Sequence, residues 1–154
     1  MTYAEFLAWL RPHCFGVTPP STPHAVSQVV SSAAQILNSG VQGVPSTGVA
    51  GQFAGITTKF VQVISAGGSF FHTDTNGSEK IAHAVQGSIA AAQLGLIITL
   101  CVKSIECSAD LTGLCKANYI LEALYVALLT GTGTLAAYSA GNAPTPAPAP
   151  VATV

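Results

Sequence analysis

Cysteine and histidine are the side chains with the widest chemistry in this chain, as nucleophiles, redox partners, metal ligands and proton carriers. Three of its four cysteines, Cys101, Cys107 and Cys115, fall in the stretch "CVKSIECSADLTGLC". Zinc sites bring thiolates together in close pairs such as C-x₂₋₄-C. Here five and seven residues intervene, with no histidine near either pair, so no metal cage is indicated. The absence of C-x-x-C removes a thioredoxin-like redox role as well. The spacing suits a staple. A turn near Ser108, a good N-cap, leaves Cys101 seven residues before it and Cys115 seven after. Those positions are level in an antiparallel helix pair, so Cys101–Cys115 can clamp it if the Cα atoms come within about 7 Å. Cys107 is then left for Cys14. Four cysteines allow three pairings, and free buried thiols are the alternative.

Among the histidines, His83 shares a polar stripe with Glu79, Gln86 and Gln93. A neutral imidazole there suits a metal ion or a chlorophyll magnesium; a hydrogen-bonded interface histidine is the plainer reading. No two histidines are four residues apart, so no helical histidine-pair site is visible. Glu122, the sole carboxylate of a long apolar helix, calls for a lysine on a neighbouring helix or for water at the bundle edge. Gly131, Gly133 and Ala136 outline G-x-G-x-x-A, but no strand precedes them and no acid follows. Asn76-Gly77-Ser78 is a minimal glycosylation sequon. There is no G-x-S-x-G, P-loop or Ser/His/Asp grouping, so no catalytic residue and no enzyme is expected.

These side chains must be positioned by helices. Thr2 and Glu5 have capping-box spacing, predicting a short helix from Thr2 to Leu10, ended by Pro12 and followed by the stiff "GVTPPSTP". Thr22 with Pro23 opens a second helix, in which Val26, Val29, Val30, Ala33, Ile36 and Leu37 recur at amphipathic spacing up to Gly40. Ser46 or Thr47 opens a third, with Phe53, Ile56, Phe60, Val63 and Ile64 on one face up to Gly67 and Gly68. Its Gly51 and Gly55 are spaced for close backbone approach, a simple packing role being a plainer reading than a defined dimer motif. A fourth starts between Asp74 and Ser78, and a fifth near Ser108. No stretch alternates with period two. The expectation is therefore all-α: about four main helices plus a short N-terminal one in a single domain, residues 1–141. It ends in an apolar hairpin, 78–141, and an extended Pro/Ala tail, 142–154.

Only 7% of the 154 residues are charged, against roughly 25% in an ordinary soluble domain. Mean hydropathy is +0.52. A lone soluble monomer of this composition is poorly protected from association, so partners are expected: other protein subunits, a membrane or lipid, or both. Five Lys/Arg spread along the chain form no basic stripe, and nucleic acid is not an expected partner. The first residues lack the basic and long apolar regions of a secretory signal, so either none is used or one has been removed. Residues 81–102 carry no charge until the turn with Lys103, Glu106, Asp110 and Lys116, and 117–139 carry only Glu122. The pair is long enough for a transmembrane hairpin. The other reading is a pair buried in a soluble bundle, which the polar stripe and the "TGTGT" run favour, since mid-bilayer Gln and His must be buried against protein.

At "IECSADLTGL", residues 105–114, the chain resembles small Ala-rich helical accessory proteins of dinoflagellate plastid complexes. Cys107, Ala109, Asp110 and Leu111 match their C-x-A-D-φ helix start, and the likeness over residues 78–140 is otherwise compositional. The resemblance implies a noncatalytic accessory subunit of a large membrane-associated complex, such as a photosystem with its antenna in the plastid thylakoid. It implies no intrinsic cofactor, with chlorophyll or carotenoid contacts at the complex interface. The lack of a plastid targeting segment is a departure from that family unless the chain is the processed form, and without a light-harvesting charge-bridged helix pair an antenna protein itself is not expected. The alternative expectation is a free-standing soluble helical module that binds an apolar ligand or peptide.

Overall fold

The computed structural model describes residues 2–5, 20–42, 48–105, 107 and 113–141. The chain is all-α, as its periodicities predict, with no strand among the described residues. A helical turn at residues 3–5 precedes four long helices: α1 (Thr22–Gln42), α2 (Gly48–Phe71), α3 (Gly77–Val102) and α4 (Gly113–Gly141). Residue pairs such as Ser27 with Ser65, Gln86 with Thr132 and Gln93 with Glu122 set successive helices antiparallel, an up-down-up-down bundle. The α2–α3 interface is the largest and the α1–α4 interface much smaller.

Local chemistry sets the helix ends. Thr2 and Glu5 form the capping box read from their spacing, with Thr2 N–H donating to Glu5 Oε2 at 2.7 Å and Glu5 N–H to Thr2 Oγ1 at 3.2 Å. The cap of α1 is Ser21, one residue before the expected Thr22; its hydroxyl accepts the His24 N–H at 3.4 Å. Helix α2 continues through Gly67 and Gly68 to Phe71. Asn76 caps α3, its N–H donating to Glu79 Oε1 at 3.0 Å. The end of α3 is a Schellman turn: Ser104 adopts φ 53°, Ile105 N–H reaches Leu100 O at 2.9 Å and Ser104 N–H reaches Cys101 O at 3.1 Å.

That turn corrects the expected cysteine pairing. The disulfide joins Cys107 to Cys115, with Cα atoms 5.4 Å apart, and not Cys101 to Cys115. Helix α4 is described from Gly113, and Cys115, in its first described turn, is within reach of Cys107. Cys101 lies before the Schellman turn, on α3, and its thiol donates to Gln52 Oε1 of α2 at 3.4 Å. Cys14 and the tail 142–154 lie outside the described residues.

Gly51 and Gly55 are both buried, but the closest backbone approach is elsewhere. A Cβ at Gly55 would be in ordinary contact with the Ile97 side chain at 3.8 Å and Gln42 Nε2 at 4.0 Å, whereas one at Gly87 would lie 3.2 Å from the Ala66 Cβ. The tight α2–α3 approach is therefore made by Gly87 against Ala66.

Burial runs opposite to the apolar periodicity. Val29 of α1 is 69% exposed, Ile36 71%, Phe53 of α2 66% and Phe60 54%, although these rows would face the core of a soluble bundle. The groups turned inward are His24, Gln28, Ser31, Lys59, Gln62, His83, Gln86 and Gln93, around a small apolar cluster of Ala90, Tyr125 and Leu129.

For the cysteines, alkylation without reductant followed by tryptic mapping is expected to recover residues 104–116 with an internal disulfide and Cys101 modified. Recovery of Cys101 linked to Cys115 would overturn this connection.

Candidate functional site: a polar seam inside the bundle

On each helix the inward positions alternate spacings of three and four residues, the repeat of a coiled-coil seam. Helix α1 presents His24, Gln28, Ser31 and Gln35; α2, Gly55, Lys59, Gln62, Ala66 and Ser69; α3, Glu79, His83, Gln86, Ala90 and Gln93. Helix α4 follows with Cys115, Asn118, Glu122, Tyr125, Leu129 and Thr132. A polar group in an apolar interior is unfavourable unless hydrogen-bonded, and most of these groups find partners on a neighbouring helix.

At one end, α1 and α3 begin side by side. His24 Nδ1 lies 2.8 Å from His83 Nε2, in an edge-on ring contact. Glu79 joins the two starts: one oxygen accepts the Asn76 N–H, the other the Ser21 N–H at 3.1 Å, with His24 Nδ1 at 3.8 Å. A carboxylate at two helix N-termini is favoured by both macrodipoles.

One level further in, Thr132 Oγ1 accepts from Gln28 Nε2 at 2.9 Å and Gln86 Nε2 at 2.8 Å, while its own proton goes to Leu128 O at 2.8 Å. Ser65 donates to Ser27 at 2.9 Å, and Gln62 Nε2 donates to Ser31 O at 3.2 Å and Gln35 Oε1 at 3.1 Å.

The central level holds the charges. Lys59 Nζ lies 2.7 Å from Glu122 Oε2 and 4.3 Å from the centre of the Tyr125 ring. Gln35 Nε2 donates to Glu122 Oε1 and Gln93 Nε2 to Oε2. The Lys59 side chain is 1% exposed and that of Glu122 30%. Of the two placements expected for Glu122, the structure shows the first: a lysine of a neighbouring helix.

His83 lies on the polar stripe predicted for it, together with Glu79, Gln86 and Gln93. As a chlorophyll ligand it does not fit. It is 1% exposed, its Nε2 is engaged by His24, and it faces the bundle interior, where a macrocycle has no space. The sequence singled out Glu79, His83, Gln86, Gln93 and Glu122 but not His24, Gln28, Gln35, Lys59 or Gln62. The signal for these was the three-and-four spacing of polar residues in α1 and α2. Gly133 of the G-x-G-x-x-A outline is helical and packs toward Gln28 Oε1. Among the described residues no group of three or more His, Cys, Asp or Glu side chains is arranged to hold a metal ion.

Removing one member of a buried ion pair leaves the other without compensation, at about 3–5 kcal/mol. Lys59→Met and Glu122→Gln are each expected to lower unfolding stability by about that amount, and the double variant by much less than their sum. A double-mutant cycle followed by denaturant titration checks this; additive losses would show that the pair is not coupled. In comparisons with protein-family models, curated proteins and solved structures, the chain matches none, so the geometry of the seam itself carries the functional reading.

Proposed function

We propose that this chain is an integral membrane protein, a four-helix bundle with its polar seam inside and its apolar faces against lipid. The observation that carries the reading is the inversion of burial. Large apolar side chains are outward on all four helices, among them Val29, Phe60, Ile98 and Leu124, while His83, Lys59, Gln62 and Gln93 are at most 1% exposed. Apolar surface on this scale is unfavourable in water. In lipid it is matched to its solvent, and the polar groups must then be satisfied within the protein.

Length and composition agree. Helices α3 and α4 are each long and apolar enough to cross a membrane, yet only 22% and 11% of their most apolar stretches are buried in the bundle. The core helices of a soluble protein would be mostly buried. Helices α1 and α2 have 21 and 24 residues, or about 32 and 36 Å at 1.5 Å per residue, against a hydrocarbon layer of about 30 Å. The one charged residue within them, Lys59, is sequestered in the seam.

In that setting the protein acts as a noncatalytic accessory subunit of a larger membrane complex, using its apolar faces to pack against neighbouring subunits as well as lipid. The very low charge of the chain supports this role. A photosystem as the complex rests on the resemblance at residues 105–114 alone.

The protein is expected to stay with membranes through alkaline carbonate washing and to need detergent for extraction; release by carbonate alone would refute the reading. Phe60→Lys, which puts a charge on the exposed face, is expected to cost about 2.5–3.5 kcal/mol of insertion free energy, measurable as a lower inserted fraction in microsomes.

A further inference from the structure

Resting on the membrane reading above, we propose that the polar seam is a proton-transfer path through the bundle, leading from Glu79 by way of the His24–His83 pair to the Lys59–Glu122 pair. Ionisable residues inside a membrane bundle are unfavourable, and proton relays are one of the functions they serve. Here they stand in two groups on one seam. Glu79, His24 and His83 mark the end where α1 and α3 begin; Lys59, Glu122 and Tyr125 mark the middle. From His24 to Gln35, which bonds Glu122, is eleven residues of α1, or about 16 Å.

Two observations fill that interval. Hydroxyl groups punctuate it: Thr132, the Ser27–Ser65 pair, and the buried Ser31. A set of buried atoms along the seam also lacks any hydrogen-bond partner in the protein: His83 Nδ1, Ser69 Oγ, Gln28 Oε1, Gln62 Oε1, Gln93 Oε1 and, beyond Glu122, Asn118 Oδ1. One such atom in isolation is a local defect. Six on one seam, spanning both groups of ionisable residues, call for a file of small hydrogen-bonding molecules, and water is the one that fits between amide oxygens, hydroxyls and an imidazole.

The chemistry selects protons over metal cations. An ammonium fixed at the centre, 2.7 Å from its only carboxylate, repels an approaching cation and occupies the site one would use. Proton transfer requires no ion to pass it. A proton entering at Glu79 is taken up by the imidazole pair; His83 receives it on Nε2 and releases one from Nδ1 to the water file, and a turn of the neutral ring then resets its tautomer before the next proton arrives. At the centre, Lys59 Nζ passes a proton to Glu122 Oε2, leaving an amine and a carboxylic acid with no net charge. Glu122, the partly exposed member, gives up its proton toward Asn118, and the amine takes the next one from the file. Each cycle moves one proton and restores the ion pair.

The test reconstitutes the full chain into phosphatidylcholine vesicles loaded with a pH-sensitive dye, with a valinomycin-clamped potassium gradient as driving force. The wild-type protein is expected to acidify the lumen several times faster than protein-free vesicles do. His83→Ala and Glu122→Gln are each expected to slow this by about tenfold or more, and Val29→Ala, on the exposed face, to leave it unchanged. Wild-type flux no faster than in protein-free vesicles, in preparations where the protein co-floats with lipid, overturns the path. So does undiminished flux in both seam variants. Failure of the wild-type chain to co-float overturns the membrane reading beneath it.

Discussion

The Lys59–Glu122 ion pair is the constraint around which the rest of the bundle is arranged. Two opposite charges in a low-dielectric interior are tolerable only at contact distance and with the remaining hydrogen-bonding capacity filled. Lys59 is on α2 and Glu122 on α4, so the two helices are held diagonally across the bundle axis. The carboxylate needs further donors, and these come from the other two helices, Gln35 of α1 and Gln93 of α3. One carboxylate thus ties all four helices at a single level. Tyr125 completes the arrangement by placing its ring face 4.3 Å from the ammonium.

Once that level is fixed, the three-and-four repeat carries the same inward face toward both ends of every helix. Small residues fall on it where helices must come close: Ala66 opposite Gly87, and Ala90 beside Tyr125 and Leu129. Such close approach gains dispersion contacts where apolar association contributes little, as in the proposed lipid setting. The large residues are on the opposite faces, which explains why a chain so rich in Val, Ile, Leu and Phe has so small an apolar core.

Much of this architecture was legible in the sequence, because helix existence depends on local signals. Pro23, the Thr2/Glu5 box, the Asn76 region and the apolar runs marked the four long helices and the N-terminal helical turn, although Gly40, Gly67 and Gly68, read as stops, lie inside α1 and α2. The inward face was less legible. In α3 the polar stripe of Glu79, His83, Gln86 and Gln93 stood out against apolar surroundings and marked the seam correctly. In α1 and α2 the apolar rows were more conspicuous than Gln28, Gln35, Lys59 and Gln62, and an apolar row has no sign that says whether core or lipid lies beyond it. The His24–His83 contact joins residues 59 apart in sequence, so no local spacing reveals it. The cysteine pairing failed for a geometric reason: α3 ends in a Schellman turn just after Cys101, whose thiol faces Gln52 of α2, and it is Cys107 that comes within disulfide distance of Cys115.

A seam of specific polar partners also solves a problem of register that apolar packing leaves open. Helices covered with Ala, Gly, Val and Leu present similar surfaces after a slide of seven residues, about 10 Å, and dispersion alone discriminates weakly between such alignments. Sliding α4 by one repeat would set Tyr125's neighbour Leu129, or Cys115 at the other limit, near the level of Glu122 and leave Lys59 opposite no carboxylate. The same slide would take Thr132 away from Gln28 and Gln86. Each misalignment leaves several buried polar groups unpaired at once, at about 1–3 kcal/mol apiece and more for the ammonium. The polar groups of this chain thus act chiefly through the alignments they exclude, and they allow the outer faces to vary in composition without loss of a single bundle geometry.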